Sequence, residues 1–253
     1  MSKRNTQLRR HSISKLVNEK GEVSVDELAH KFDTSEVTIR KDLASLEKNG
    51  QLLRRYGGAI AIPKEVIHEE MSQNVSDRKL KLAEKAAELI RDHNRIVIDS
   101  GSTTGALIQQ LNSKRGLVVM TNSLHVANAL NELESEPTLL MTGGTWDNHS
   151  ESFQGKVAES VLRSYDFDQL FIGADGVDLT RGTTTFNELV GLSKVMAEVS
   201  REVIVMVESD KVGRKIPNLE LAWEMIDILI TNNDLLPEYK AEMEANGVRV
   251  ICA

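Results

Sequence analysis

Residues 98–105 read IDSGSTTG and close the apolar run Ile96, Val97, Ile98. Short hydroxyl side chains and glycines where a strand gives way to a helix suit an anion. Backbone N–H groups and the hydroxyls of Ser100, Ser102, Thr103 and Thr104 converge there on a helix N-terminus, and a phosphate fits. Three more loops end apolar runs in the same manner: residues 120–123 (MTNS), residues 141–145 (MTGGT) and residues 171–178 (FIGADGVD). The last puts Asp175 and Asp178 where sugar hydroxyls are held, whereas Gly105, Gly143 and Gly144 also read as tight turns. There is no G-x-G-x-x-G run with a ribose-binding acid and no Walker A loop, which excludes dinucleotide and ATP sites. His11, His30, His68, His93, His125 and His149 fall at no metal-binding spacing, and the single Cys252 provides neither disulfide nor thiolate cluster. No metal and no cofactor are expected.

A second chemistry sits near the start. Residues 35–41 read SEVTIRK, a polar opening to a helix whose later positions are apolar. Arg40 can meet a guanine bidentately, Glu36 can accept from a cytosine, and Ser35, Thr38 and Lys41 suit phosphates. Residues 52–62, LLRRYGGAIAI, read as a hairpin through Gly57 and Gly58 that carries Arg54, Arg55 and Tyr56 onto a nucleic-acid backbone.

Helices must position those side chains. Leu8, Ile13, Leu16 and Val17 share one face of a first helix that stops at Gly21. Ser24 and Glu27 form a capping-box pair before a short second helix with Val25, Leu28, Ala29 and Phe32 as its apolar face. The third helix spans 35–50, with Val37, Ile39, Leu43 and Leu46 apolar and Gly50 as its stop. Helix, short helix, turn, polar-headed helix and basic hairpin in that order make a winged helix-turn-helix. The bland alternative is a three-helix bundle with a solvated basic face. Residues 1–60 hold 12 Lys and Arg against 8 Asp and Glu, a balance of +4, while the rest hold 19 against 30, within a net charge of −7. A basic head on an acidic body suits a protein that turns one face to a polyanion.

The organisation follows. We expect residues 1–62 to form the DNA-binding head, 63–76 a linker, and 77–253 a larger α/β domain. Beyond the linker, helices at 78–93, 104–111, 123–133, 156–164, 188–200 and 237–246 alternate with strands at 95–99, 117–120, 138–142, 169–173, 202–207, 226–231 and 248–251. Such alternation argues for a largely parallel sheet, whose ligands sit beyond the carboxyl ends of the strands. The start MSKRNTQLRR lacks an apolar signal region and no apolar run is long enough to span a bilayer, so a cytoplasmic protein without membrane contact is expected.

Arg9, Ile13 and Val17, followed by Ser35, Thr38, Ile39, Arg40, Lys41, Asp42 and Leu43, resemble the N-terminal signature of the DeoR family of bacterial regulators. In that family Asp42 orients an Arg or Lys instead of touching a base. Stretches VIDSGSTT (97–104), MTNSLHVANAL (120–130), LLMTGG (139–144), FIGADGVD, GTTTFNE (182–188) and ESDKVGRK (208–215) extend the resemblance over essentially the whole chain. It implies a Rossmann-like effector domain similar to ribose-5-phosphate isomerase, which senses a phosphorylated sugar. By resemblance, Asp99, Ser100, Gly101, Ser102, Thr103 and Thr104 form the phosphate loop, with Gly143, Gly144, Asp175, Gly176, Asn187, Glu188 and Lys211 around the rest of the pocket. Lys211 supplies a point charge to the phosphate. Two departures stand out: Glu208 and Asp210 where members usually carry Asp and Ser, and Leu189, Val190 and Gly191 where many carry a further Glu. Residues 120–130, 183–188, 193–196 and 213–218 resemble the members that govern hexitols such as glucitol, so a hexitol phosphate is expected before a hexose phosphate.

The expected function is a transcriptional repressor of a sugar or polyol operon, bound to double-stranded operator DNA as at least a dimer (homodimer or homotetramer) and released by a phosphorylated sugar or polyol. The competing reading is a sugar-phosphate isomerase or deaminase carrying a DNA-binding head, with Asp175, Glu188 and Lys211 as its acid–base groups. A constitutive architectural DNA-binding protein is a third reading. It leaves the acidic body without a purpose.

Overall fold

The computed structural model describes residues 3–48, 52–55, 57–61, 76–148, 150–187, 190–214 and 216–253, and the chain's contacts divide it into two compact units, Met1–Gln73 and Asn74–Ala253. The expected Tyr56, Gly50 and Glu188, the Leu8 side chain and nearly all of the linker lie outside the described residues.

In the first unit, helices α1 (Lys3–Lys20), α2 (Val25–Lys31) and α3 (Glu36–Lys48) are joined by strands β1 (Glu22–Ser24), β2 (Leu53–Arg55) and β3 (Gly58–Ile60). The strands make an antiparallel sheet in the order β1-β3-β2. Ile13 and Val17 of α1, Leu28 of α2, and Ile39, Leu43 and Leu46 of α3 close on Val23, Leu52 and Ala59 as one buried core. Burying each large apolar side chain contributes about 1.5–3 kcal/mol. The hairpin needs its second glycine, because a Cβ on Gly58 would stand 2.5 Å from the carbonyl oxygen of Val23.

Two expectations differ from the structure, and one strand was not foreseen. Only half of the capping box forms: Ser24 Oγ accepts from the Glu27 N–H at 3.1 Å, but the Glu27 carboxylate pairs with Lys20 instead of turning back. Strand β1 escaped the sequence reading because three residues with only Val23 buried carry no period. Val37 does not belong to the core. It is 59% exposed, on the side of α3 away from Ile39, Leu43 and Leu46.

The second unit is built on a seven-stranded, wholly parallel sheet, in the order β15-β14-β12-β9-β4-β5-β6. The strands are β4 (Arg95–Ile98), β5 (Val118–Thr121), β6 (Thr138–Met141), β9 (Phe167–Ile172), β12 (Ser200–Met206), β14 (Ile228–Thr231) and β15 (Arg249–Cys252). Near-continuous apolar runs in them reflect burial on both faces. On one face Ile96, Ile98, Val119, Phe171 and Ile204 meet α4 (Asp77–Glu88) and α6 (Leu124–Asn131) through Leu82, Ala86, Val126 and Leu130. On the other, Val97, Leu170, Ile172 and Val205 meet α7 (Lys156–Leu162), α8 (Gly191–Glu198) and α9 (Pro237–Ala245) through Leu162, Leu192, Val195 and Met243.

The expected helix over 104–111 is instead a single turn, α5 (Ser102–Gly105), followed by a 3-10 turn at Ile108–Ser113. Thr104 Oγ1 donates back to the carbonyls of Asp99 (2.9 Å) and Gly101 (3.0 Å), folding the start of the segment into a compact loop. The helix expected over 188–200 begins at Gly191 and ends at Glu198, where the chain turns into β12. A hairpin of β7 (Thr145–Asp147) and β8 (Ser152–Gln154) and a sheet of β10 (Gly176–Asp178), β11 (Gly182–Thr185) and β13 (Asn218–Ala222) were not anticipated.

Candidate functional site

The chain runs β4 to β5 to β6 outward on one side, then crosses to place β9 on the other side of β4. Adjacent strands at such a switch point send their following loops apart and leave a crevice for ligand. The loop after β4 is residues 99–101, and that after β9 carries Asp175. The loops after β5, β6 and β12 bring Asn122, Gly143 and Lys211 to the same edge of the sheet.

Asn122, wholly buried, binds the loop in two directions. Its Nδ2 donates to Asp99 Oδ1 at 2.9 Å, and its Oδ1 accepts the Ser100 N–H at 3.0 Å. From the first turn of α4, Lys79 reaches in and donates through Nζ to Ser102 Oγ at 2.6 Å. Its side chain is 8% exposed, so a positive charge is held in a largely dry place beside a hydroxyl suited to phosphate. Thr103 and Thr104 are buried, and α5 is one turn long, so an anion here would rely on local N–H groups and Lys79 more than on a helix dipole.

Asp175 Oδ2 accepts from Thr185 Oγ1 at 2.7 Å and the Phe186 N–H at 3.1 Å, which fastens β11 to the loop after β9. Asn187 continues that corner through its N–H to Thr185 Oγ1 and its carbonyl to Asn218 Nδ2. Asp178 is corrected: its carboxylate is used by Thr180 (2.7 Å) and Arg181 (2.8 Å). Burial raises its pKa, but those donors outweigh it and hold the group at about 2, a structural ion pair instead of a sugar contact. Gly144 is also explained by packing, since a Cβ there would meet the Gln154 carbonyl oxygen at 2.6 Å; Gly143 faces open space. Lys211 is 9% exposed, and among the described residues no hydrogen bond or ion pair engages its ammonium. The extra carboxylate beside it, Asp210, is taken up by Arg214 at 2.8 Å.

In the first unit, Ser35 Oγ accepts the Thr38 N–H at 3.3 Å and thereby caps α3, while Glu36 and Arg40 pair at 2.6 Å across one exposed turn. An exposed pair of this kind is worth little, so Arg40 can leave it for a base. Lys41 is exposed on the same helix. Arg54 and Arg55 lie exposed on β2, beside Glu47 (3.6 Å) and Glu22 (2.9 Å) respectively. Asp42, 2% exposed, holds Arg9 Nε at 2.6 Å and Arg10 Nε at 2.8 Å, locking α3 to α1.

Residues 9–65 match the DeoR-like helix-turn-helix domain, and residues 74–233 match the DeoR C-terminal sensor domain. The chain belongs to the DeoR family of transcriptional regulators. It is 37% identical to a putative aga operon transcriptional repressor of Escherichia coli O157:H7, over 97% of this chain and 93% of that one. It is 31% identical to the lactose phosphotransferase system repressor of Streptococcus mutans, over 82% and 84% respectively. Among solved structures it is similar to ribose 5-phosphate isomerase A of Methanocaldococcus jannaschii, at 22% identity, 53% coverage of each chain and a TM-score of 0.39. Among the described residues no helix is long and apolar enough to cross a membrane, and no group of three acidic, His or Cys side chains could hold a metal.

Three buried polar residues of this DeoR-family chain, beside the loops singled out from sequence, were missed by sequence reasoning: Lys79, Asn122 and Glu220. Glu220, on β13, is 8% exposed and accepts from Ser193 Oγ at 2.9 Å. Burial first, and then the neighbouring charge of Asp99, push its carboxyl up to about 8. Burial likewise raises Asp99 to about 6, against the Ser100 N–H and Asn122, which favour its charge. Unfolded, these groups ionise near 4.5 and 3.8. Between the unfolded and folded values, unfolding releases a proton, so stability falls as pH rises through that window. The sensor domain is therefore expected to melt at a higher temperature at pH 5 than at pH 8, with most of the difference removed in Glu220→Gln. Calorimetry at both pH values checks this; a wild-type melting temperature that climbs from pH 5 to 8 contradicts it.

Proposed function

We propose that this regulator represses a sugar or polyol catabolic operon, with residues 1–62 reading the operator and residues 77–253 sensing a phosphorylated sugar or hexitol. The observation that carries the reading is the buried Lys79 ammonium on Ser102, in a hydroxyl-rich loop at the switch point of the sheet. The phosphate binds across Ser100, Ser102 and Thr103 with Lys79 and Lys211 as counter-charges, while Thr104, wholly buried with its hydroxyl on the Asp99 and Gly101 carbonyls, braces the loop. Asp175, Gly176, Asn187 and Glu188 take the polyol end. Asp99 and Asn122 shape the loop from beneath.

The names of the two relatives, a putative aga operon transcriptional repressor and a lactose phosphotransferase system repressor, support sugar catabolism as the regulated process. Resemblance to hexitol regulators favours glucitol 6-phosphate as the first effector to test. The phosphate is sensed instead of transformed: the family is one of transcriptional regulators, and Asp175, one of the groups that the isomerase reading needs, is engaged by Thr185 and Phe186. A single recognition helix covers few base pairs, so the working form is at least a dimer on repeated half-sites.

Fluorescence anisotropy on DNA from upstream of the protein's own gene, with random DNA as competitor, tests this reading. Specific binding released by glucitol 6-phosphate or another sugar phosphate, but not by free glucitol, is expected. Absence of specific binding at every salt concentration would remove the operator-reading role. In the same assay Arg40→Ala should cost about 1–3 kcal/mol and relax one base position, whereas Arg55→Ala should weaken all sequences alike and flatten the salt dependence. Equal losses on cognate and random DNA in both variants would take Arg40 out of base readout.

A further inference from the structure

Val37 is the one large hydrophobic side chain more than half exposed among the described residues of the first unit, at 59%. It is the second residue of α3, after Glu36. At the helical step of about 100° per residue it points away from Ile39, Leu43 and Leu46, at the centre of the outward face. Arg40 and Lys41 follow one turn on, and half-buried Ala44 two turns on. Its polar neighbours are engaged with one another, Ser35 with Thr38 and Glu36 with Arg40, which leaves the valine as the group projecting between them.

Valine is a poorer helix former than the Glu, Lys or Arg an exposed position usually carries, and its exposure to water contributes nothing to folding. The cations beside it, on a head with a balance of +4, point to a polyanionic surface as its occupant. In the major groove of a polyanionic duplex the apolar feature on a base edge is the 5-methyl group of thymine.

We infer that Val37 is a base-reading residue that packs on a thymine methyl group, so that the head selects thymine at one position of each half-site. The inference rests on the operator-reading role above. It adds a contact of a different kind from that of Arg40, which selects guanine by hydrogen bonds.

The test uses the full-length protein and two pools of random-sequence duplex, one built with thymine and one with uracil, which lacks only that methyl. Wild-type protein should enrich a thymine-containing site whose uracil counterpart binds about fourfold more weakly, the worth of one buried methyl. Val37→Ala, which keeps the wild-type melting temperature because the side chain is exposed, should bind the two versions of that site equally. Equal wild-type affinity for both versions, or undiminished discrimination in Val37→Ala, overturns the assignment of Val37 alone. Failure of the wild type to enrich any sequence overturns it together with the operator-reading role.

Discussion

Lys79→Met is expected to leave operator binding intact while raising the concentration of sugar phosphate needed for release. A hydrogen bond to a charged group is worth about 1.5–3 kcal/mol, so the release midpoint should rise roughly ten- to 150-fold. Lys79 is the cation whose Nζ lies within hydrogen-bond reach of the loop, at 2.6 Å from Ser102 Oγ. Methionine keeps an unbranched apolar stem in the space that the largely buried lysine fills, so the loss should be of charge and not of packing. The check is an anisotropy titration of the variant on operator DNA, with its melting temperature measured alongside. An unchanged release midpoint in a normally folded variant would move the phosphate away from Ser102.

Asp42→Ala should unfold the head. Asp42 is 2% exposed and receives both Arg9 and Arg10, and Arg9 is itself only 11% exposed. Removing the carboxylate strands a largely buried guanidinium, a change that costs about 3–5 kcal/mol in pairs of this kind. A unit of some sixty residues has roughly 3–9 kcal/mol of stability to lose. The expected result is an early melting transition confined to the head and loss of binding to cognate and random DNA together. Asp42→Asn keeps one acceptor oxygen and should recover part of both. Cognate binding within twofold of wild type in Asp42→Ala would show that α1 and α3 are held by their apolar contacts alone.

The contrast between Asp42 and Val37 shows what could be read from sequence. Ile39, Leu43 and Leu46 recur at helical spacing, and all three are buried. Val37 is apolar but out of phase with them; its type suggested core while its phase pointed outward, and phase prevailed. Lys79 carried a similar signal, standing three, four and seven residues before Leu82, Ala83 and Ala86 on the apolar face of α4, where a charge needs a partner. The long apolar strands of the seven-stranded sheet were legible because burial on both faces leaves unbroken runs such as Val203, Ile204 and Val205. The sheet of β10, β11 and β13 was not. Its strands are three to five residues long, Thr183, Thr184 and Thr185 look polar, and Glu220 becomes a buried acid only because β13 pairs with β11 across more than thirty residues of chain. Burial imposed by distant pairing leaves no local period.

On the proposed reading, one sugar phosphate and one operator bind the same protein and oppose one another. Linkage makes this quantitative: the factor by which the sugar phosphate weakens operator binding must equal the factor by which the operator weakens sugar-phosphate binding. Calorimetric titration of glucitol 6-phosphate into the free protein and into its operator complex measures the second factor; anisotropy measures the first. Equal factors of roughly 5 to 150 are expected, with the sugar phosphate recovered unchanged. The same affinity with and without operator, or conversion of the sugar phosphate to another compound, would contradict that reading.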